Sequence, residues 1–192
     1  MSTLGWVHFL SCLVALVAGA VVILLRKGTR WHRTWGHLYV WSMAVVLISA
    51  LSIYDMTGRA GPFHLAAVVG ALTLVAGLYT VLARRPRKSW MEAHAIWMSW
   101  SYIGLCAAAA AESLSRFVMP RIAGVLEREA LWGAFWASVG LATFVVVGIG
   151  WWLVKTRMAG ALARTPHAIR VDRDAAGDAV SGPGRRSPAL RS

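Results

Sequence analysis

Long runs of apolar residues, separated by short polar stretches, fill the chain as far as Val154. Five of them have the length of roughly 20 residues that an α-helix needs to cross about 30 Å of hydrocarbon. They are residues 4–25, 35–54, 62–83, 90–111 and 130–154. The runs lack the two-residue alternation of a barrel strand, and a helix satisfies all of its own backbone groups in lipid. The pattern therefore predicts an all-α integral membrane protein with five transmembrane helices.

The composition supports the same conclusion. The 192 residues are 58% hydrophobic and 15% charged, whereas soluble proteins average about 45–50% apolar and about 25% charged residues. No Lys or Arg precedes the first run, and Arg26 and Lys27 follow it. A signal peptide has the opposite order of charge, so the first run is expected to remain in the protein as a helix.

The net charge of +12 is distributed unevenly between the two sides of the predicted membrane. The stretches after the first and third runs, together with residues 155–192, hold sixteen of the twenty Lys and Arg residues. The other side carries Arg59, Arg116, Arg121 and Arg128. The positive-inside rule then predicts an N-terminus outside and a tail in the cytoplasm. A multi-pass protein of the inner (plasma) membrane is expected. The basic residues thus serve topology and contact with anionic lipid, and no nucleic-acid partner is expected.

Residues 155–192 differ in composition from the rest of the chain. Gly, Pro, Ser, Arg and Asp dominate there without apolar periodicity, which is typical of a disordered segment. We therefore expect a transmembrane domain over residues 1–154 and a basic, disordered cytoplasmic tail over residues 155–192.

The histidines are the most informative polar residues, because five of the six lie in or beside the first four runs. His8 and His64 are expected near the outer ends of their helices, and His32, His37 and His94 near the inner ends. In an up-down bundle of the first four helices, alternate helices face each other diagonally. This arrangement predicts an outer histidine pair on helices one and three and an inner pair on helices two and four.

Helical periodicity distinguishes His32 from His37. If Thr29 caps the second helix, one face carries His32, Gly36, Tyr39 and Met43. His37 then points roughly 140° away, at about 100° per residue. The corresponding stripes on the other three helices are His8, Cys12, Ala15 and Gly19; His64, Ala67, Val68 and Ala71; and His94, Trp97, Met98 and Ser101. We therefore expect His8 with His64, and His32 with His94, to face the bundle interior.

Two imidazoles that face each other across a bundle are typical axial ligands of a b-type haem. The pattern favours two such haems, with irons on the order of 20 Å apart, between which electrons could cross the bilayer. Gly36 would leave room for the flat cofactor, Arg33 could neutralise a propionate or an anionic quinol, and Tyr39 could donate a hydrogen bond. The expected function is electron transfer linked to a quinol or small reductant, as a transmembrane oxidoreductase or a subunit of one.

Other interpretations of the same residues remain open. Histidines near headgroups can bond to lipid or water, and small residues at four-residue spacing are common in membrane helix packing. A cofactor-free scaffold, assembly subunit or small transporter is thus the alternative, although the spans lack the internal charges of most transporters. A copper site at His94 and Met98 is a weaker option. Cys12 and Cys106 are expected to be packing residues, although their depths would allow a disulfide.

The fifth run contains neither a histidine nor a charged residue. Gly133, Ala137 and Gly140 give it a face of small residues. Such a face predicts that the helix packs on the outside of the bundle or mediates a homo-oligomer.

Three stretches of the chain, "KGTRWHRTWGHLYV", "GPFHLAAVVG" and "HAIWMSWSY", resemble the bacterial membrane proteins of domain-of-unknown-function family 2306. The resemblance covers roughly residues 4–120, and its most specific element is HRxxGxxY, which selects His32 rather than His37. Its motifs fall on His32, Arg33, Gly36, Tyr39, His64, His94, Trp97, Met98, Ser101 and Tyr102. The chain departs from the family pattern at Trp100, where an Arg is frequent. More distantly, the paired-histidine core is similar to diheme transmembrane b-type cytochromes, which implies an electron carrier by architectural analogy alone.

Overall fold

The fold is entirely helical over the part of the chain that the structure, a computed structural model, describes: residues 2–54, 61–117, 119–122, 124 and 127–180. The helices are α1 (Thr3–Leu24), α2 (Arg30–Ser52), α3 (Pro62–Leu82), α4 (Trp90–Phe117), α5 (Met119–Ile122) and α6 (Arg128–Val180). The predicted all-α class is therefore confirmed for these residues.

Within the described part of the chain, four helical segments are long and apolar enough to cross a membrane: α1, α2, α3 and Glu129–Thr156 of α6. A multi-pass membrane protein is thus confirmed. Among the described helices, α4 does not meet the same criterion, because Glu92, His94 and several Ser and Trp residues dilute its apolar content. A fifth crossing through α4 and an outer N-terminus remain predictions.

The connection between α1 and α2 determines where the second helix begins. Gly28 has a φ of +82°, a left-handed conformation that glycine adopts without steric cost. Thr29 follows as the N-cap, and its hydroxyl oxygen accepts a hydrogen bond from the His32 backbone N–H at 3.2 Å. The expected cap is present, and α2 begins at Arg30, before the predicted start of the span at Trp35. His32 consequently lies in the first turn of the helix.

The first four helices form an antiparallel bundle. Helix α1 packs against α2 and α4, and α3 packs against the same two neighbours. Within the described residues, no Cα atoms of α1 and α3, or of α2 and α4, approach within 8 Å. Helices α1 and α3 therefore lie diagonally opposite each other, as do α2 and α4.

A layer of tyrosines fills the middle of the bundle. The hydroxyls of Tyr39 and Ser101 are 2.9 Å apart and join α2 to α4, while the Tyr102 hydroxyl donates to the Leu16 carbonyl at 3.1 Å. The two tyrosine rings meet edge to face with centroids 6.2 Å apart. We call Tyr39, Ser101 and Tyr102 the tyrosine layer. Because Tyr39 is 2% exposed and Ser101 is fully buried, this layer separates the two ends of the bundle.

The predicted inward stripes are only partly correct. Ala15, Tyr39 and Met43 are buried as expected. Val68 and Trp97, by contrast, are 44% and 41% exposed, so their assignment to the interior was wrong. Apolar side chains face lipid as readily as they face a membrane protein's core, and hydrophobicity alone does not separate the two surfaces.

The close approach at Gly19 yields a first prediction about stability. A Cβ atom added at Gly19 would overlap the Tyr102 ring and lie 3.1 Å from Tyr39. We expect Gly19→Ala to lower the free energy of unfolding by about 1–3 kcal/mol, the usual cost of overpacking. Gly104→Ala is the matched control, since nothing lies within 4 Å of its added Cβ. Thermal unfolding in detergent measures both, and equal loss in the two variants would contradict the packing of Tyr102 on Gly19.

Helix α6 differs most from its prediction. It continues to Val180 instead of ending at residue 154, and the disorder of the tail remains a prediction. The stretch RMAGALAR at residues 157–164 explains the longer helix, because Ala, Leu, Met and Arg favour helix. Residues 181–192 of the predicted tail lie outside the described residues.

The chain divides into two compact units, Met1–Trp151 and Trp152–Ser192. In the first, α6 touches the outside of the bundle: the Trp136 and Phe63 rings have centroids 6.3 Å apart, and Gly150 lies against Ile103. The added Cβ atoms at Gly133 and Gly140 would meet nothing within 4 Å. The small-residue face is therefore open, and its use in self-association remains a prediction.

Candidate histidine sites at the two ends of the bundle

The four singled-out histidines lie at opposite ends of the bundle. His8 and His64 lie at one end, which we call the His8 end, and His32 and His94 lie at the other, the His94 end. All four side chains are half-buried, whereas His37 is exposed. The helix face that periodicity assigned to His32 is thus the one that faces the bundle.

At the His94 end, a backbone carbonyl orients the His94 ring. The imidazole Nδ1 lies 3.0 Å from the Gly77 carbonyl oxygen of α3. Since a carbonyl only accepts, Nδ1 must carry the proton and donate it. In the neutral ring, Nε2 is then unprotonated and makes no hydrogen bond to any described residue. This is the tautomer in which a histidine binds a metal through Nε2.

The partner across the diagonal, His32, has a nitrogen that the protein does not satisfy. Its Nδ1 is buried without a hydrogen-bond partner among the described residues, and its ring lies beside the Val22 carbonyl of α1. A buried polar atom without a partner costs about 1–3 kcal/mol. The His94 end therefore combines one available and one unsatisfied imidazole nitrogen on diagonal helices.

The other residues predicted for this site lie around the two rings. Gly36 has open space where a Cβ would be, and Arg33 is exposed on the outer face of α2. The Lys27 ammonium donates to the Val22 and Ile23 carbonyls, each at 3.0 Å. Tyr39 lies deeper, where its hydroxyl is bound to Ser101 in the tyrosine layer. Tyr39 is thus a core residue whose polar group already has a partner.

At the His8 end, a serine fixes the tautomer of His8. Nδ1 of His8 is 2.9 Å from the Ser49 hydroxyl of α2, which itself donates to the Val45 carbonyl at 2.7 Å. The hydroxyl proton is therefore in use, so His8 Nδ1–H donates to Ser49, and in the neutral ring Nε2 is the acceptor. Nε2 faces Cys12 Sγ at 3.6 Å and Glu112 Oε2 at 3.7 Å.

His64 has a different environment from His8. The Gly61 backbone N–H donates to its Nδ1 at 3.2 Å, and the ring stacks on Tyr54 with centroids 4.6 Å apart. Its Nε2 is buried without a hydrogen-bond partner among the residues that the structure describes. No described contact joins His64 to His8, because the first turn of α3 holds one ring while Ser49 and Glu112 orient the other. The predicted outer pair thus shares an end of the bundle but not a contact.

Sequence reasoning missed Glu112, which was assigned to the loop after the fourth span. Helix α4 continues through this residue to Phe117, and Glu112 follows the buried Leu105 by seven residues, so both lie on one helix face. Glu112 and Arg116 form an ion pair four residues apart, with 2.6 Å between Oε1 and Nη2. A carboxylate and guanidinium at this spacing favour a continuing helix and could have revealed it.

Among the described residues, surface grooves flank the bundle at two places. One, with a volume of about 610 Å³, lies between the His94-end segments of α3 and α4. The other, of about 270 Å³, lies between α1 and α2. The larger one is lined by Ala76, Tyr79, Thr80, Arg85, Pro86, Arg87, Ala93 and Trp97. The groove therefore combines apolar side chains such as Trp97 with the positive charges of Arg85 and Arg87.

Comparison with known proteins identifies one family. The family model described as "Predicted membrane protein (DUF2306)" matches residues 5–148, which confirms the resemblance drawn from the three sequence stretches. No curated protein and no solved structure matches the chain. The more distant likeness to diheme cytochromes accordingly gains no support.

Proposed function

The chain belongs to this DUF2306 family of predicted membrane proteins, and from that premise we propose that it is a haem-binding electron-transfer protein of the membrane. The proposed ligands are His32 and His94. The supporting observation is that these imidazoles lie on diagonal helices. Within the described residues, His32 Nδ1 is buried without a hydrogen-bond partner, and His94 uses Nδ1 for the Gly77 carbonyl, which leaves Nε2 as its second nitrogen.

The donor set agrees with a b-type haem. Haem iron is commonly held by imidazole, and a ligating histidine usually donates its other N–H to a carbonyl or carboxylate. His94 meets this requirement through Gly77. Neither described groove is lined by His32 or His94, so a porphyrin needs α2 and α4 to separate at their ends. The open space at Gly36 lowers the cost of that separation on the α2 side.

Each residue has a distinct part in this proposal. A bound haem supplies one-electron chemistry, and the protein supplies its position and potential. Gly77 orients His94, and the absence of a side chain at Gly36 lets a flat group approach the α2 backbone. Lys27, held on the Val22 and Ile23 carbonyls, would supply positive charge for an anionic propionate, whereas Arg33 lies on the outer face of α2 and would need to reach around the helix to do so. The tyrosine layer seals the site on its far side.

The groove between α3 and α4 suggests where a reductant approaches. Ala93 lines it and precedes His94 in the chain, so a molecule in the groove comes close to that ligand's helix. Arg85 and Arg87 at its rim favour an anionic or polar head, and Trp97 offers an apolar wall. A quinol combines these properties, and we propose it as the electron donor or acceptor.

The decisive experiment is a dithionite-reduced minus oxidised absorbance spectrum of the detergent-purified protein, with haem-to-protein stoichiometry. One b-type haem per chain is expected from the His94 end alone. Two haems would restore the predicted outer pair of His8 and His64. A protein that remains colourless after haem reconstitution contradicts the proposal and favours the cofactor-free scaffold or assembly subunit.

A further inference from the structure

Three potential metal ligands from two helices converge at the His8 end. His8 and Cys12 are four residues apart on α1 and share a face, and Glu112 reaches them from α4. One atom from each, His8 Nε2, Cys12 Sγ and a Glu112 carboxylate oxygen, lies within 4.8 Å of the other two. We propose that this cluster is a binding site for a divalent transition-metal ion, with Zn²⁺ as the preferred occupant.

The spacing of the three atoms agrees with tetrahedral coordination. Zinc bonds of about 2.0–2.3 Å to nitrogen, oxygen and sulfur place neighbouring ligand atoms roughly 3.4–3.6 Å apart. His8 Nε2 is 3.6 Å from Cys12 Sγ and 3.7 Å from Glu112 Oε2. Small side-chain rotations therefore suffice to close the site around an ion.

Neighbouring groups orient two of the ligands. Ser49 accepts from His8 Nδ1–H, so that Nε2 is the nitrogen that binds a metal ion once the ring is neutral. Arg116 holds the other side of the carboxylate, with its Nε 2.9 Å from Glu112 Oε1, so that Oε2 faces His8. Outer partners of this kind keep ligand atoms aimed at a shared point.

The chemistry of the donors selects the metal. Imidazole, thiolate and carboxylate together suit Zn²⁺, whereas Ca²⁺ and Mg²⁺ prefer oxygen ligands alone. A thiolate and a carboxylate balance the double charge of the ion, which matters because His8 is only 13% exposed. Three protein ligands leave the fourth position of a tetrahedron to water or an exogenous group.

This inference does not rest on the proposed haem, since the two sites share no residue and the tyrosine layer lies between them. It competes only with the predicted outer haem, because His8 Nε2 cannot bind both ions. A second haem held by His8 would therefore overturn it.

Equilibrium dialysis of full-length protein against Zn²⁺, followed by elemental analysis, tests the site. The protein is purified without a polyhistidine tag and stripped with a chelator beforehand. About one Zn²⁺ per chain is expected, with at least tenfold weaker binding in Cys12→Ser and unchanged binding in Cys106→Ser. The second cysteine is the matched control, because it also lies half-buried in the bundle.

Two further variants keep the outcome interpretable. Ser49→Ala removes the hydroxyl that accepts from His8 Nδ1–H, while all three proposed ligands stay in place. Loss of such an outer partner lowers metal affinity by about 10–100-fold. His94→Ala is expected to bind Zn²⁺ normally even where it has lost haem. Absence of Zn²⁺ from folded wild-type protein, or equal effects of the two cysteine substitutions, would overturn the proposed metal site and leave the haem proposal intact.

Discussion

His94→Ala is expected to abolish the low-spin haem spectrum of the purified protein. The substitution removes the proposed ligand whose Nδ1–H donates to the Gly77 carbonyl, while that carbonyl keeps the hydrogen bond from the Thr80 hydroxyl. We expect haem affinity to fall by more than about tenfold, since even outer partners of a metal ligand are worth about 10–100-fold. Reduced minus oxidised spectra at matched protein concentration give the result directly.

His32→Ala is expected to have the same effect, because both axial ligands are needed for a low-spin iron. His37→Ala is the matched control: the residue lies on the same helix five positions later and is exposed. It should retain the full signal. His64→Ala should also retain it if one haem is bound at the His94 end, and a halved signal in that variant would reinstate the outer haem. Haem bound normally by His94→Ala would refute the assigned ligands.

The choice of His32 could be made from the sequence because it depends on local geometry. Thr29 is a good N-cap residue, and a cap determines the phase of the helix that follows. Once the phase is known, His32 and His37 fall on different faces, and the observed cap bond to the His32 N–H confirms the phase. Local chemistry thus decides which side chain faces the bundle.

The cluster around His8 could not be predicted in the same way, because it depends on contacts between distant parts of the chain. Ser49 is 41 residues from His8, and Glu112 comes from the extension of α4 beyond the predicted span. Hydropathy identifies where lipid contact ends but not where the helix ends. A polar residue directly after an apolar run, such as Glu112, can therefore still belong to the bundle.

The fourth helix shows a second reason why hydropathy along the sequence does not predict the whole bundle. Its ends carry Glu92 and Glu112, and its middle carries Ser101 and Tyr102, so its hydropathy is too low for the criterion that the other spans meet. These polar groups have partners inside the bundle: Ser101 bonds to Tyr39, and Tyr102 to the Leu16 carbonyl. A helix that packs against other helices can contain polar residues that a lipid-exposed helix cannot.

Tyr39→Ala is the stability change with the largest expected effect. The Tyr39 ring is 2% exposed and contacts Tyr102 edge to face, so its removal leaves a cavity in the tyrosine layer. The Ser101 hydroxyl also loses its hydrogen bond to Tyr39. Large-to-small changes of aromatic core residues cost about 3–5 kcal/mol. We expect a loss of about 3 kcal/mol in the free energy of unfolding, measured by thermal or denaturant unfolding in detergent.

Two comparisons separate the packing of Tyr39 from its hydrogen bond. Tyr79→Ala removes the same side chain from a position that is 60% exposed and should cost less than about 1 kcal/mol, since surface changes are usually small. Tyr39→Phe keeps the ring and loses only the bond to Ser101, which in a membrane bundle is worth about 0.6 kcal/mol. If Tyr39→Phe lowered the free energy of unfolding as much as Tyr39→Ala, the hydrogen bond between Tyr39 and Ser101 would contribute more to stability than the packing of the ring. The expected order places packing first, because many contacts around the ring are lost in Ala and one hydrogen bond is lost in Phe.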